Sequence, residues 1–160
     1  MMRVTIVAVG KLKETYLAKG VAEYVKRLRS YCQLKIIEVK DEAFRERQSP
    51  AQQEIVKVRE AERIHKAIPP RSYVIALDMQ GVMKSSEELS ILIDQVGVEG
   101  WNHVTFVIGG ALGLHSSVIK AAHLHVSFST LTFPHQLMRL ILLEQIYRWF
   151  TIIRGEPYHH

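Results

Sequence analysis

Residues 4–9, VTIVAV, form an almost continuous β-branched and apolar run that stops at Gly10. A run without strict alternation fits a strand buried on both faces. Beyond it, Leu17, Val21, Tyr24, Val25 and Leu28 recur at helical spacing, which predicts an amphipathic helix over 14–31. The same reading predicts strands at 34–39, 73–78, 103–108 and 123–128, and helices at 51–68, 85–96, 116–122 and 134–153. Pro69-Pro70 stops the second helix. Ser85 or Ser86 is placed to cap the third, with carboxylates in its first turn. Residues 40–50 are polar and charged and read as a connecting loop, with a lid or an RNA contact as the alternative role. Strands that alternate with helices predict an α/β domain with a largely parallel sheet and helices on both faces. The 160 residues suffice for one domain with a real core and are too few for two comfortable ones.

Composition adds three constraints. Hydrophobic residues make up 48% and charged residues 23%, ordinary for a globular protein. Lys and Arg number 21 against 16 Asp and Glu, a net charge of +5 that favours a polyanionic partner without requiring one. Cys32 is the only cysteine, so an internal disulfide and a cysteine zinc cluster are excluded. The opening MMRVTIVAVGKLKE lacks the long apolar region of a signal peptide, and no apolar stretch reaches membrane-spanning length. A cytoplasmic protein with no membrane contact is the expectation.

Ligands of open α/β sheets bind beyond the carboxyl ends of strands. Three such ends fall in the second half of the chain: Leu77-Asp78 with Met79-Gln80-Gly81, Ile108-Gly109-Gly110, and residues 128–133. Each is small or polar enough to leave backbone groups free for an adenosine. The cluster VIGGALGLH is GGxxG rather than the dinucleotide GxGxxG, and no Walker sequence is present. On spacing alone, a structural turn and a ligand loop stand level there. His115, His123, His125, His135, His159 and His160 invite a metal, but no HExxH-like set exists and none is expected. Ser127 and Ser129 sit in no GxSxG elbow, and Cys32 reads as a packing residue.

The last helix is apolar nearly all round, from Leu137 to Ile153. Such a helix needs burial on several sides, and a homodimer interface offers a second burial surface. Glu144 and Arg148 are one turn apart and suited to pair, whereas Arg139 has no local partner and is free to reach a phosphate or carboxylate.

VIGGALGLH, then FSTLTFPHQLMRLILLEQIYR, then IIRGEPYHH, together with the opening VAVGKLKE, resemble the family of bacterial large-subunit (23S) ribosomal RNA pseudouridine N3-methyltransferases, a branch of the SPOUT superfamily. The resemblance spans nearly the whole chain. It implies an α/β SPOUT fold with a C-terminal trefoil knot, a homodimer, and S-adenosylmethionine as methyl donor. It further implies methylation of N3 of a pseudouridine in 23S rRNA of the assembled ribosome. Carried over by position, the donor-binding residues are Leu77, Gly109, Phe128, Ser129, Thr130, Leu131, Thr132 and Phe133. A transfer-RNA methyltransferase of the same fold, a non-catalytic ribosome-binding factor and a dinucleotide redox module are the rival readings, the last disfavoured by the glycine spacing.

Methyl transfer to an imide nitrogen needs the base held in line with the methyl group and a destination for the N3 proton. His135, Arg154, Tyr158 and His159 are the catalytic candidates. The tail at 154–160 reads either as a frayed end or, with its cation, phenol and imidazoles, as a segment completing the pocket of a partner subunit. His135 divides evenly between proton acceptor and scaffold for the donor loop.

Overall fold

Strand β1 (Arg3–Val9) is buried at every position after Arg3, and that continuous burial fixes it in the middle of a sheet. The computed structural model describes residues 1–43 and 47–160, so the expected loop at 40–50 lies partly outside the described residues. Among the described residues β1 is followed by α1 (Thr15–Leu28), β2 (Gln33–Val39), α2 (Pro50–Ala67) and β3 (Tyr73–Met83). Then come α3 (Ser86–Val98), β4 (His103–Ile108), α4 (Ser116–Ala121), β5 (Leu124–Ser127) and α5 (His135–Ile153). The sheet runs β2-β1-β4-β3-β5 with every pair parallel.

Alternate side chains divide two cores. Val4, Ile6 and Ala8 join Val104, Phe106 and Ile108 beneath Leu28 of α1, Ile93 of α3 and Trp149 of α5. Val7 and Val9 join Val107 and Ala76 beneath Ala61 and Ile64 of α2 and Val118 of α4. The helix starts follow local chemistry. Ser49 and Ser85 each close a capping box, accepting the backbone N–H of Gln52 and Glu88 at 3.2 and 3.1 Å. Ser85 is therefore the cap and Ser86 the first helical residue.

Three features differ from the sequence reading. First, β3 does not end at Asp78. Leu77 pairs with Val126 of β5, the chain steps out at 78–81, and Val82 pairs with Val126 again before Met83 meets Ser127. The step is a bulge that aims residues 78–80 away from the ladder. It escapes the hydrophobic pattern because Gln80-Gly81 looks like a terminus.

Second, α5 finds most of its burial inside the chain. It packs between α1 and α3 over β4, with Leu142, Leu143, Ile146 and Trp149 essentially inaccessible. A second subunit is not needed to bury these residues. Arg139 does reach a carboxylate: it donates to Glu38 Oε2 at 2.5 Å and to the Gly10 carbonyl at 3.2 Å. Glu144 and Arg148 pair at 2.6 Å.

Third, the tail is not frayed. Tyr158 lies edge-on to Tyr147, its hydroxyl 3.1 Å from both Tyr24 Oη and Glu144 Oε1. Arg154 donates to the Ser30 carbonyl at 3.0 Å and stacks over Tyr31. A short tail has few ways to bury apolar area, but stacked rings and charge-assisted bonds hold this one.

Leu143→Ala is expected to lower unfolding free energy by roughly 2–5 kcal/mol, whereas Ser85→Ala, at an exposed cap, lowers it by about 1 kcal/mol. Urea denaturation followed by circular dichroism checks both, and equal effects would contradict the assignment of α5 to the core.

Candidate functional site

Beyond the carboxyl ends of β3, β4 and β5, three loops wall one cavity of about 340 Å³, within the range of roughly 300–1,000 Å³ usual for small-molecule sites. The β3 bulge supplies Leu77, Asp78, Met79 and Gln80. The turn after β4 supplies Ile108 to Gly113, and the segment after β5 supplies Ser127, Phe128, Ser129, Leu131, Thr132 and Phe133. His135 and Met138, on the first turn of α5, complete the lining.

Each wall is shaped by its own sequence. A side chain on Gly81 would place Cβ 2.5 Å from the Val126 backbone, so only glycine lets the returning bulge lie against β5. Gly109 is equally confined: its Cβ would stand 2.8 Å from Gly113. Gly113, at φ +83°, donates to the Gly110 carbonyl at 3.0 Å and closes the turn. In the third wall Ser127 Oγ donates to the Ser129 carbonyl and Ser129 Oγ accepts from Leu131 N, both at 2.9 Å. The serines there order backbone and are not nucleophiles.

Of the donor-binding residues implied by the resemblance, Leu77, Gly109, Phe128, Ser129, Leu131, Thr132 and Phe133 come together on this cavity. Thr130 is exposed and stands outside the wall. Of the catalytic candidates only His135 lines it. Burial lowers the His135 pKa, Arg139 and Lys13 add to that, and Asp41 opposes them, so the ring is held neutral. Arg154, Tyr158 and His159 sit away from this chain's cavity, on the α1–α5–α3 face. His159 is engaged at both nitrogens, Nδ1 3.0 Å from Arg148 and Nε2 2.5 Å from Glu87. Since Arg148 can only donate, Nε2 carries the proton. Burial first, then Tyr24 and Glu144, raises the Tyr158 pKa, so it remains a phenol.

Two arrangements had no signal in the sequence, although Asp78 stands at a strand end read as ligand-binding and His125 among the metal candidates. Asp78 Oδ2 accepts from His125 Nε2 at 2.9 Å and from the Gln80 N–H at 3.3 Å. Asp78 Oδ1 faces the turn at Gly113. The pair joins residues 47 positions apart, and only the β3–β5 ladder brings them together. Glu60, on α2, lies behind the glycine turn. Its helix is highly charged, and nothing in the sequence singles Glu60 out. Among the described residues no group of three or more His, Cys, Asp or Glu side chains is disposed to hold a metal, and no helix among them is long and apolar enough to cross a membrane.

Three backbone-rich loops converging beyond parallel strands define an α/β protein with a cavity of small-molecule size at its strand ends. Residues 2–159 match the model of the predicted SPOUT methyltransferases, and the chain belongs to the SPOUT methyltransferase family. It is 56% identical over 158 residues to a protein of Carboxydothermus hydrogenoformans named ribosomal RNA large subunit methyltransferase H, covering 99% of both chains. Proteins of the same name from Pelotomaculum thermopropionicum and Bacillus pumilus are 49% and 52% identical, covering 100% and 99% of each chain. Among solved structures it resembles a probable methyltransferase from Bordetella pertussis at a TM-score of 0.59 and 11% identity, covering 93% of this chain and 95% of that one. A probable methylase family protein from Haemophilus influenzae matches at 0.53 and 12%, covering 99% and 70%. At such identities these structures speak for the fold alone.

Gly109→Ala is expected to push the glycine turn outward, to lower unfolding free energy by roughly 1–3 kcal/mol, and to weaken ligand binding about tenfold or more, ~1.4 kcal/mol. Calorimetry with the ligand, beside a thermal melt, reads both, and unchanged affinity would remove the turn from the site.

Proposed function

We propose that this protein methylates N3 of a pseudouridine in large-subunit ribosomal RNA of the assembled ribosome, in the cytoplasm, with S-adenosylmethionine as donor and as a homodimer. The observation that carries the reading is the single cavity built from the ends of β3, β4 and β5, in a chain half identical over its whole length to relatives named for this RNA. The C-terminal trefoil knot implied by the resemblance belongs to the same proposal.

The cavity fits the donor. Leu77, Ile108, Phe128 and Met138 offer apolar surface for a base ring, and the glycines at 109, 110 and 113 leave backbone groups approachable. Asp78 Oδ1, with its sister oxygen fixed by His125, is set to accept from a ribose hydroxyl. When bound, the donor supplies an electrophilic methyl carbon on a sulfonium, so no metal is required.

The chain's own work is to hold the base in line and to take the N3 proton. Neutral His135 at the cavity edge has a lone pair for that proton. Its ring approaches the turn at Gly10, where Cβ would lie 3.9 Å from Nε2. The neighbouring Gln136 side chain accepts from Lys13 N at 3.1 Å, so α5 orients the ring. Arg154, Tyr158 and His159 serve in this reading at the cavity of the partner subunit, where Tyr158 stacks on the unpaired base and Arg154 holds a phosphate. What supports a partner is exposed apolar surface: Met79 and Leu131 on the cavity lining, and Val82 and Met83 where β3 rejoins β5, are each more than half exposed.

Deleting residues 154–160 is expected to leave donor binding nearly intact and to abolish methyl incorporation into intact ribosomes. Full activity of the shortened protein would sink the tail's role. Methylation of transfer RNA instead of ribosomes would redirect the substrate assignment. Mass spectrometry of ribosomal RNA from cells with and without the protein identifies the modified base.

A further inference from the structure

Glu60 is 4% exposed, on the inner face of α2. Its Oε2 accepts from the Glu42 backbone N–H at 3.1 Å, while Oε1 is buried with no partner among the described residues. Both oxygens face Gly110: a Cβ there would lie 3.1 Å from Oε1 and 3.3 Å from Oε2. Gly110 is also part of the wall of the large cavity. One glycine residue therefore separates a buried carboxyl from the space assigned to the methyl donor.

A buried carboxylate oxygen without a hydrogen-bond partner is unfavourable. The hydrogen bond it makes does not need a charge, since a glutamine would accept from Glu42 just as well. What glutamine cannot supply is an electric field in the neighbouring cavity. We propose that Glu60 is a positioning residue whose negative charge makes the cavity prefer the cationic sulfonium donor over the neutral thioether that remains after transfer. This rests on the reading that the cavity binds S-adenosylmethionine.

The argument turns on what distinguishes the two ligands. S-adenosylmethionine and S-adenosylhomocysteine share adenosine and amino-acid parts, so contacts to those parts treat both alike. They differ by one methyl group and one positive charge at sulfur. A charge acting across a buried glycine, which puts no side chain of its own in the way, is less screened than one at the surface and tells them apart. Among the described residues the nearby cations are turned mainly to another carboxylate. Arg63, on the same helix, is bound to Glu42, and Arg59 reaches Glu42 at 3.8 Å. Asp41 and Glu42 add negative charge from the segment after β2, and His135 across a smaller cavity of about 190 Å³ is neutral.

Burial raises the Glu60 pKa, Asp41 and Glu42 add to it, and the Glu42 N–H and Arg63 only partly offset it. A cation in the cavity works in the opposite direction and favours the ionised form. Donor binding therefore expels a fraction of a proton, and product binding does not. His135, already neutral, has none to release. Once the sulfur is neutral the attraction ends, which helps the product leave.

The test is isothermal titration calorimetry of the full-length protein, parent and Glu60→Gln, with S-adenosylmethionine and S-adenosylhomocysteine. Two buffers of different ionisation enthalpy report proton release. The variant is expected to lose donor affinity several-fold, to keep its affinity for the product, and to show no donor-specific proton release. Equal loss for both ligands, or no loss, overturns the proposal. The pH dependence of the parent's donor-to-product affinity ratio gives a reading that needs no variant: it should rise as Glu60 ionises, and a flat ratio also overturns the proposal. If the parent binds neither compound, the donor reading itself has failed and this inference falls with it.

Discussion

The ligand-facing half of this molecule depends on two places where backbone lies against backbone with no side chain between. At Gly81 the returning β3 bulge touches Val126, and at Gly109 the turn after β4 touches Gly113. Both contacts are closer than any Cβ tolerates, so glycine is a steric requirement at each. Without the first, β3 cannot leave its ladder with β5 at Leu77 and rejoin it at Val82, and Asp78 to Gln80 have no reason to face the cavity. Without the second, the glycine turn cannot sit tightly enough to leave Gly110 as a thin partition in front of Glu60. Cavity shape and cavity charge thus descend from the same absence of side chains.

Much of the fold was legible because burial is periodic. The almost unbroken apolar runs of β1 and β4 read as central strands, and 103–108 was placed without error. Capping chemistry located the start of α3 to within a residue, since Ser85 stands three positions before Glu88, which reaches back, whereas Ser49, the cap of α2, reads in the sequence as part of the loop before it. What escaped was interaction across long stretches of chain. The Asp78–His125 pair exists only because β3 and β5 are neighbours. Glu60 was not singled out because its helix is highly charged, and nothing in α2 alone says which carboxylate turns inward. Loop residues 128–133 were readable as a group from motif, yet Thr130 at their tip stays outside the wall. A motif fixes a segment, while the turn within it decides which side chains face in.

The apolar helix α5 shows how burial and site are coupled. Sequence alone makes it a helix in search of covering, and the chain supplies most of that covering through α1 and α3. Its first turn carries a second task. Arg139 ties it to Glu38 and the Gly10 carbonyl, and Gln136 ties it to Lys13, so the end of β1, the end of β2 and the start of α5 are one unit. Burial opposes ionisation of Glu38, but Arg139, the Leu12 N–H and Lys11 outweigh it and hold its pKa below the usual carboxylate value. The ion pair is therefore present at neutral pH. His135 inherits its position and its neutrality from this unit.

The far end of α5 obeys a different logic. Tyr158 and His159 have their polar atoms engaged, by Tyr24 and Glu144 and by Arg148 and Glu87 respectively. A histidine that accepts at one nitrogen and donates at the other has no lone pair left for a substrate proton. Within one chain these residues are therefore poor bases, and their bonds are better understood as fixing the direction in which the tail projects. In the proposed function, proton acceptance is assigned to His135, whose pKa burial lowers, and recognition of the RNA base to the aromatic and cationic faces of the tail. Such a division needs one chain's tail to stand at another chain's cavity, because no tail residue lines the cavity of its own chain. The exposed apolar side chains of Met79 and Leu131 on that cavity, with Val82 and Met83 on β3, are the surface the proposed dimer offers for such a contact.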